Sequence, residues 1–574
     1  MKENLKLPAT LLCDFYKISH RKQYPANTEK IYSTWTPRMT RIKGVDKIVA
    51  FGFQGFIKNY LINYFDENFF KRPLEDVINE YKRAIKYTLN DPDPDASHLE
   101  ALHKLGYLPI KISAVKEGTR VNIRTPMLTI ENTKPEFFWL TNYLETLMSS
   151  CLWQPTTSAT IAYKYRKMLN DYANETNGDL SGVKFQGHDF SFRGMGGVES
   201  AVSSGAGHLT SFVGTDTIPA ILYHENYYNA NIEKELVGCS IPATEHSVMC
   251  AYGRNELESY RHIITEVYPK GFASIVSDTW DLWSVLYDVI GKLKPEIINR
   301  DGRIVIRPDS GNPVDIVCGT VQIYDLDKEN YIKTLDDCKK WMEETLIDEL
   351  RTNTPHGECG KSEVSGVFKF NNINYEIVFD VDWNRYDKQY YYIYTYNLAR
   401  CNEIKLKSEQ KGVIEILWEI FGGTITAQGY KQLDTHIGCI YGDAITLDRC
   451  KEICDRLKAK GFASTNMVYG IGSYTYQYNT RDTFGFALKS TYGIFGSEEK
   501  NLYKDPITDS GFKKSATGKV CVYRNGDDIL YRDGLSQEEY DKATDNLLEP
   551  IFEDGKLLRE QSLAEIRALL HKNF

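Results

Sequence analysis

The chain has no run of ~18 apolar residues, the length a membrane-crossing helix needs, so no transmembrane span is expected. Its first residues, MKENLKLPATLLCDFYK, have too short an apolar core and no cleavage signature for a secretory leader. An excess of positive charge is also missing. The formal net charge is −9 over 574 residues, which argues against general nucleic-acid binding and leaves room only for a local basic pocket. The 12 cysteines include no CxxC pair, so the usual zinc-ribbon and dithiol signatures are absent. Cys450 and Cys454 instead share the apolar face of the helical pattern LDRCKEICDRLKAKG with Leu447, Ile453 and Leu457. This suits packed thiols in a reducing, cytoplasmic compartment. The remaining composition, 42% hydrophobic and 26% charged, is ordinary for a globular protein, and the length allows more than one domain.

The stretch RIVIRPDSGNP, Arg303 to Pro313, organises the reading. Ile304, Val305 and Ile306 are β-branched residues suited to a buried strand. Arg307 and Asp309 follow, Pro308 ends the ladder, and Ser310 to Pro313 turn into a helix start. Either Arg307 and Asp309 close a loop as an ion pair, or they form a functional tip. Similar runs occur at Val183–Phe190, His208–Thr215, Cys239–His246, Ala273–Asp278, Ile437–Asp443, Met467–Gly472 and Phe484–Tyr492. The spacing of the first five runs, counting Ile304–Asp309, is that of βα units. Their tips carry Phe190 with Arg193, then Asp216, His246, Asp278, and Arg307 with Asp309; Asp443 and Gly472 come later. Such a series at one end of successive strands converges on the mouth of a parallel barrel or sheet.

Several tip residues suit particular chemistry. His246, with Glu245 beside it and Asp278 on the next tip, fits an imidazole oriented by a carboxylate for nucleophilic or acid–base work. Asp216 can bind an amide or hydroxyl, or cap the next helix. Phe190 and Arg193 before a glycine loop suit stacking on a planar ring. Gly470-Ile471-Gly472-Ser473 can present backbone N–H groups to a phosphate, and Arg481, Lys489 and Lys504 beyond it make an anion site or a solvated basic face. As a pair, Asp309 and Asp443 would suit a barrel glycosidase, for which the basic cluster makes little sense. Residue chemistry alone reaches a phosphate-containing small molecule in an α/β barrel mouth.

Elsewhere the sequence is less specific. Leu108 to Ile130 reads as two or three strands, and Phe138 to Leu152 as an apolar helix. Between about 321 and 431 an insertion combines strands near Val367–Phe370, Tyr375–Phe379 and Tyr390–Tyr396 with helices Leu335–Leu350 and Val413–Phe421. Lys513, Lys514 and Lys519 form a basic cluster before two short strands, and a last helix, Leu563 to His571, is expected on the surface.

The strings DFYKISHRKQYPANTEKIY, HDFSFRGMGGVES, FVGTDT, IPATEHS, SIVSDTWDLW, IVIRPDSGNPVD, YGDAI, TRDTFGFALKSTYG and LYKDP together resemble the nicotinamide phosphoribosyltransferase family, in the family's order and over nearly all of the chain outside the insertion. The resemblance implies a type II phosphoribosyltransferase-like α/β barrel with a β-rich domain formed from both chain ends. It places residues 1–150 in the β-rich domain, 151–480 in the barrel and 481–574 in the completing part. It implies transfer of phosphoribose from phosphoribosyl pyrophosphate to nicotinamide, with Mg²⁺, in a cytoplasmic homodimer with shared active sites, and with ATP as coupled co-substrate. By motif, Phe190 and the second subunit's Tyr16 would sandwich the pyridine ring, and Asp216 would accept from the carboxamide. Arg193 and Arg307 would line the ring and ribose site. Ser274, Asp309, Gly442 and Asp443 would meet the substrate and its ribose, and Gly472 and Ser473 its 5′-phosphate. Arg38, Arg481, Lys489 and Lys504 would hold pyrophosphate. His246 would be phosphorylated, with Asp278 as its partner; no metal ligand is assigned. Two positions depart from the family pattern: the phosphate loop, GIGSYTYQ, has fewer glycines, and Gly438 stands where members carry a basic residue.

Overall fold

The computed structural model describes residues 7–353, 359–385, 392–442, 444–504, 515–572 and 574. They form two compact units, the first made of the described residues within 1–168, 187–240 and 471–574, the second of those within 169–186 and 241–470.

The first unit is built on an antiparallel sheet whose strands come from both chain ends. Its order is Glu498–Asn501, Ala487–Phe495, Thr28–Thr36, Leu128–Asn132, Ile110–Ala114, Glu549–Glu553 and Lys556–Leu557. The expected β-rich part made from both ends is therefore present. Thr28–Thr36 lies inside the sheet with residues of both faces buried, and its Trp35 stacks on Phe486 with ring centroids 4.6 Å apart and planes within 4°. The run Phe484–Tyr492, which falls in the part expected to complete the β-rich domain, contributes strand Ala487–Phe495 to this sheet. Lys519 does not join a basic surface. Its side chain is 1% exposed and pairs with Glu131 at 3.0 Å, and its ammonium lies 4.9 Å from the Tyr32 ring and 4.7 Å from that of Tyr540. Lys513 and Lys514 lie outside the described residues. The last helix, Leu563–Leu570, is also more than a surface element. It buries Leu563, Ile566 and Leu570, and Arg567 donates to the carbonyls of Leu209, Leu236 and Val237. A long charged side chain that satisfies several orphan carbonyls can be buried at acceptable cost.

Two short parallel strands of this unit, Gly187–Asp189 and Gly214–Thr215, are what remains of the runs read at 183–190 and 208–215. In the second unit four parallel strands follow the sheet order Ala273–Val276, Ile304–Arg307, Ile437–Tyr441 and Met467–Ile471. Apart from the half-buried Val468, their Val, Ile and Ala residues are buried, the pattern of a parallel sheet covered by helices. The run Cys239–His246 makes only isolated bridges, Gly214 with Cys239 and Ala243 with Ser274; Pro242, lacking an N–H, limits its ladder.

The insertion has its own core. A four-stranded sheet, Ile323–Asp325, Cys359–Phe370, Ile373–Arg385 and Tyr392–Glu403, packs with helix Leu335–Asn353 around Met342, Leu346, Phe368, Ile377, Phe379 and Val381. Its tight hairpin turns on Asn371 and Asn372, at φ 53° and 62°, the left-handed pair that a two-residue turn needs and that Asn tolerates. No helix among the described residues is long and apolar enough to cross a membrane.

Candidate active site

In the second unit, the RIVIRPDSGNP stretch builds a carboxylate–imidazole cluster. Strand Ile304–Arg307 ends at Pro308, and Gly311 turns the chain at φ 90°. Asn312 then caps helix Pro313–Cys318 by accepting from the Val314 N–H at 3.0 Å. This turn is fixed to the neighbouring strand by Asp278. Its Oδ2 accepts from the Asp309 N–H at 2.9 Å and from Ser310 Oγ at 2.6 Å. Asp278 Oδ1 is buried without a hydrogen-bond partner and lies 3.9 Å from His246 Nε2. Asp309 Oδ2 lies 3.7 Å from the same nitrogen. A carboxylate oxygen buried and unpaired is costly unless a proton-bearing group reaches it, and His246 is the group aimed there. On the ring's other side, Nδ1 is 3.2 Å from Thr279 Oγ1. His246 begins helix His246–Ala251, and its side chain is 47% exposed, so the ring is open to a ligand.

Arg307 and Asp309 do not close a loop as an ion pair among the described residues. Arg307 Nη2 donates to the Thr244 carbonyl at 2.7 Å, whereas Asp309 faces His246. Gly442 is pressed against this cluster: a Cβ there would lie 2.2 Å from Asp309 Oδ1. Ser274 is buried with its hydroxyl unpaired. Glu245 does not pair with His246; it takes the Ser247 hydroxyl. Asp443 lies outside the described residues. Gly438, the departure on strand Ile437–Tyr441, leaves space occupied by Arg303, whose Cδ would be 3.2 Å from a Cβ.

The first unit holds two further groups of site residues. Asp189 is fully buried at a strand tip, where its carboxylate accepts from Ser191 N, Ser191 Oγ and Thr217 Oγ1 at 2.9, 2.6 and 2.7 Å. It thereby ties the Phe190 loop to the Asp216 loop. Phe190 packs on His188 with ring centroids 4.6 Å apart. His188 Nε2 is 2.9 Å from Asp216 Oδ1, and Ser240 Oγ donates to the same oxygen at 2.6 Å. Asp216 is thus not a helix cap; Thr217 occupies that position. Arg193 is exposed on the adjoining turn, Phe192–Gly194. Ser473 approaches this turn so closely that a Cβ on Gly194 would lie 2.1 Å from its Oγ. Gly472 precedes Ser473 and is the N-cap of the turn Ser473–Tyr476.

The second group surrounds an open cleft of about 440 Å³ lined by Tyr16, Lys17, His20, Tyr24, Glu145 and Lys489 among others. Glu145 accepts from Lys17 and lies 3.7 Å from Lys489. Burial, with Arg38, Lys17 and Arg481 close enough to add repulsion and Glu145 opposing, depresses the Lys489 pKa. Arg38 donates to the Gly485 carbonyl at 2.8 Å. Arg38, Arg481 and Lys489 therefore share one electrostatic neighbourhood, ready for an anion that would relieve their repulsion. Lys504 is exposed, its backbone N–H on Ser515 Oγ at 3.1 Å, and among the described residues no contact joins it to that group. Tyr16 is 56% exposed, with its ring edge-on to His20. His188, Ser240, Lys17 and Glu145 were not assigned from sequence. His188 and Lys17 lie inside quoted motifs, while nothing in sequence ties Glu145 to Lys17, 128 positions away.

A model of the nicotinate phosphoribosyltransferase family matches residues 185–343 and 399–556. The chain belongs to the nicotinate phosphoribosyltransferase family. A model of the nicotinamide phosphoribosyltransferase N-terminal domain also matches residues 9–84. The chain is 44% identical over 569 residues to a nicotinamide phosphoribosyltransferase of Acinetobacter baylyi, covering 97% of this chain and 96% of that one. It is 30% identical over 563 residues to the nicotinamide phosphoribosyltransferase of Xanthomonas campestris pv. campestris, at 97% and 96% coverage. Among solved structures it is similar to the nicotinate-nucleotide pyrophosphorylase of Pyrococcus furiosus, at a TM-score of 0.49 and 13% identity over 100% of this chain and 98% of that one. As a member of the nicotinate phosphoribosyltransferase family, the chain is an enzyme of the phosphoribosyltransferase class.

Proposed function

We propose that this enzyme transfers phosphoribose from phosphoribosyl pyrophosphate to nicotinamide, giving nicotinamide mononucleotide and pyrophosphate for NAD biosynthesis by salvage. The observation that carries the choice of base is Asp216, an acidic group held by His188 and Ser240 beside the Phe190 ring. A carboxamide can donate N–H to a carboxylate, whereas the carboxylate of nicotinic acid meets a like charge. Phe190 stacks on the pyridine, Tyr16 of a second subunit covers its other face, and the active form is a cytoplasmic homodimer; the exposure of the Tyr16 ring supports that role. Arg193 and Arg307 line the ring and ribose site, Ser274, Asp309, Gly442 and Asp443 hold the substrate and its ribose hydroxyls, and Gly472 with Ser473 meets the 5′-phosphate. Arg38, Arg481, Lys489 and Lys504 take the pyrophosphate.

The pyridine nitrogen attacks C1′ of the ribose as the C1′–O bond to pyrophosphate breaks, and the bonding pair leaves with pyrophosphate. Stacking holds the ring in line for this displacement, and the cations stabilise charge that grows on the leaving oxygen. Bound Mg²⁺ would neutralise further charge there. No group of three His, Cys, Asp or Glu side chains among the described residues could hold a metal; two carboxylates, Asp278 and Asp309, fit the usual pattern in which Mg²⁺ rests mainly on substrate phosphates.

ATP is proposed as a coupled co-substrate that phosphorylates His246. Carboxylates can only accept, so Nε2 facing Asp278 and Asp309 carries the proton and Nδ1 keeps the lone pair that attacks the γ-phosphorus as the bond to ADP breaks. The deciding test is product analysis after incubation with nicotinamide, phosphoribosyl pyrophosphate and Mg²⁺, with and without ATP. Nicotinamide mononucleotide and pyrophosphate should appear in equal amounts, with nicotinic acid a poor substrate and Asp216→Ser narrowing the preference. Equal turnover of both bases by the unmodified protein would refute the role of Asp216.

A further inference from the structure

His188 takes no part in the bond changes of the proposed reaction. It sits between the two groups proposed to recognise the base. One face of its ring packs on Phe190, centroids 4.6 Å apart at 40°, and its Nε2 lies 2.9 Å from Asp216 Oδ1. The side chain is 11% exposed, against 48% for Asp216. The ring has no room to turn away: Gly214 on the neighbouring strand would place a Cβ 2.8 Å from His188 Nδ1, so the missing side chain at Gly214 makes the slot that receives the imidazole. Strand Gly187–Asp189 pairs with Gly214–Thr215 through His188 opposite Gly214, which fixes the backbone on both sides.

Asp216 is half-exposed, and an exposed carboxylate ordinarily turns about its χ2 bond with little preference. Here Oδ1 takes both the His188 Nε2–H and the Ser240 hydroxyl, at 2.9 and 2.6 Å. Two donors converging on one oxygen fix the plane of the carboxylate and therefore the position of Oδ2 and of the negative charge. An Asp side chain can only accept, so the imidazole must present Nε2–H.

We infer that His188 is the positioning residue for carboxamide-over-carboxylate selection: it holds Asp216 in the one orientation that favours an amide on the ring and opposes an acid. The inference rests on the reading of the protein as a nicotinamide phosphoribosyltransferase. His188 itself forms no bond that changes in the reaction. Its effect is on the difference between two substrates, since a carboxylate free to rotate would swing its charge away from nicotinic acid and still accept from nicotinamide.

The test compares kcat/KM for nicotinamide and for nicotinic acid in the unmodified enzyme and in His188→Phe, His188→Gln and His188→Asn. Phe keeps a ring against Phe190 and loses the donor. Gln keeps a donor near the Nε2 position. Asn is small enough for the slot and too short to reach Asp216. The ratio of the two kcat/KM values should fall by roughly tenfold or more in His188→Phe and His188→Asn, the size of one well-placed polar discrimination, and stay within about threefold of the unmodified ratio in His188→Gln. A merely structural role would lower both kcat/KM values together and leave the ratio unmoved. If His188→Phe does not fold, His188→Asn alone decides, and thermal unfolding identifies which variants are folded. A preference for nicotinamide retained in full by a folded variant without the donor overturns the inference, while an unmodified enzyme that does not use nicotinamide overturns the proposed function instead.

Discussion

At the level of single residues, the cluster around His246 depends on close approach. Gly442 has no strained φ to justify it; its role is spatial, because a methyl group there would collide with Asp309 Oδ1 at 2.2 Å. Gly442→Ala should displace the Asp309 carboxylate and lower kcat/KM for phosphoribosyl pyrophosphate by roughly 10²-fold, the effect of an ångström-scale misplacement, with little change in thermal stability. Steady-state kinetics beside a melting curve checks this. For His246→Ala, ATP-dependent radiolabelling of the protein from γ-labelled ATP should disappear; a variant that still hydrolyses ATP and keeps full ATP stimulation would remove the coupling role. The roles of Arg307 and Asp309 were open in the sequence because adjacent charges of opposite sign invite pairing. Only the fold shows that Arg307 turns to the Thr244 carbonyl and Asp309 to His246. His188 was hidden for another reason. It stands in a strand interior, where a polar residue reads as a buried structural group, and its partners Asp216 and Ser240 are 28 and 52 positions away.

Among the elements, the parallel strands were legible from short branched-aliphatic runs ending in polar residues, and Ala273–Val276, Ile304–Arg307, Ile437–Tyr441 and Met467–Ile471 lie inside the runs so read. The same rule also picked out Phe484–Tyr492, whose strand pairs antiparallel, because an apolar run does not show whether its neighbours run parallel or antiparallel. In the last helix, expected on the surface, Arg567 is drawn inward by carbonyls more than 300 positions away, a contact no local pattern encodes. The insertion was well marked by alternation, and its helix Val413–Phe421 has the bounds expected. With its own buried cluster, the insertion should respond to core substitution as a separate module. Phe379, 1% exposed, contributes to that cluster, and Phe379→Ala should cost about 3–5 kcal/mol locally. Hydrogen exchange would show the loss of protection confined to residues 321–431, whereas loss spread through the first unit would contradict an independent core.

For the molecule as a whole, imidazoles buried in the neutral form make stability depend on pH below neutrality. Burial is the largest cause in each case. It lowers His98, His208 and His571 to about 4 and His224 to about 3. For His224 and His571, Nε2 donates to the carbonyls of Ala206 and Thr210, at 2.9 Å each, leaving Nδ1 buried with no partner. A proton on that nitrogen would have no acceptor. The unfolded chain binds these protons near pH 6.5, the folded chain only near 4 or below. Stability should therefore be full above about pH 6.5 and fall as the pH drops through 5 towards 4, each group contributing up to about 1.4 kcal/mol per pH unit in that window. Urea denaturation at pH 7.5, 6 and 5, with proton uptake on unfolding measured at pH 5.5, would show the trend; equal stability at pH 7.5 and 5 would contradict it.

The sheet of the first unit also sets an order of events during synthesis. Strand Thr28–Thr36 has one partner, Leu128–Asn132, available early, but its other partner, Ala487–Phe495, is made about 450 residues later. At ~5–20 residues per second during synthesis, the interval is roughly 20–90 s. Through that time one edge of a strand rich in aromatic and β-branched residues, with Trp35 still lacking Phe486, stays open to wrong pairing. The demand for chaperone protection should therefore end late, when Ala487–Phe495 leaves the ribosomal tunnel, rather than when the insertion or the parallel strands are complete.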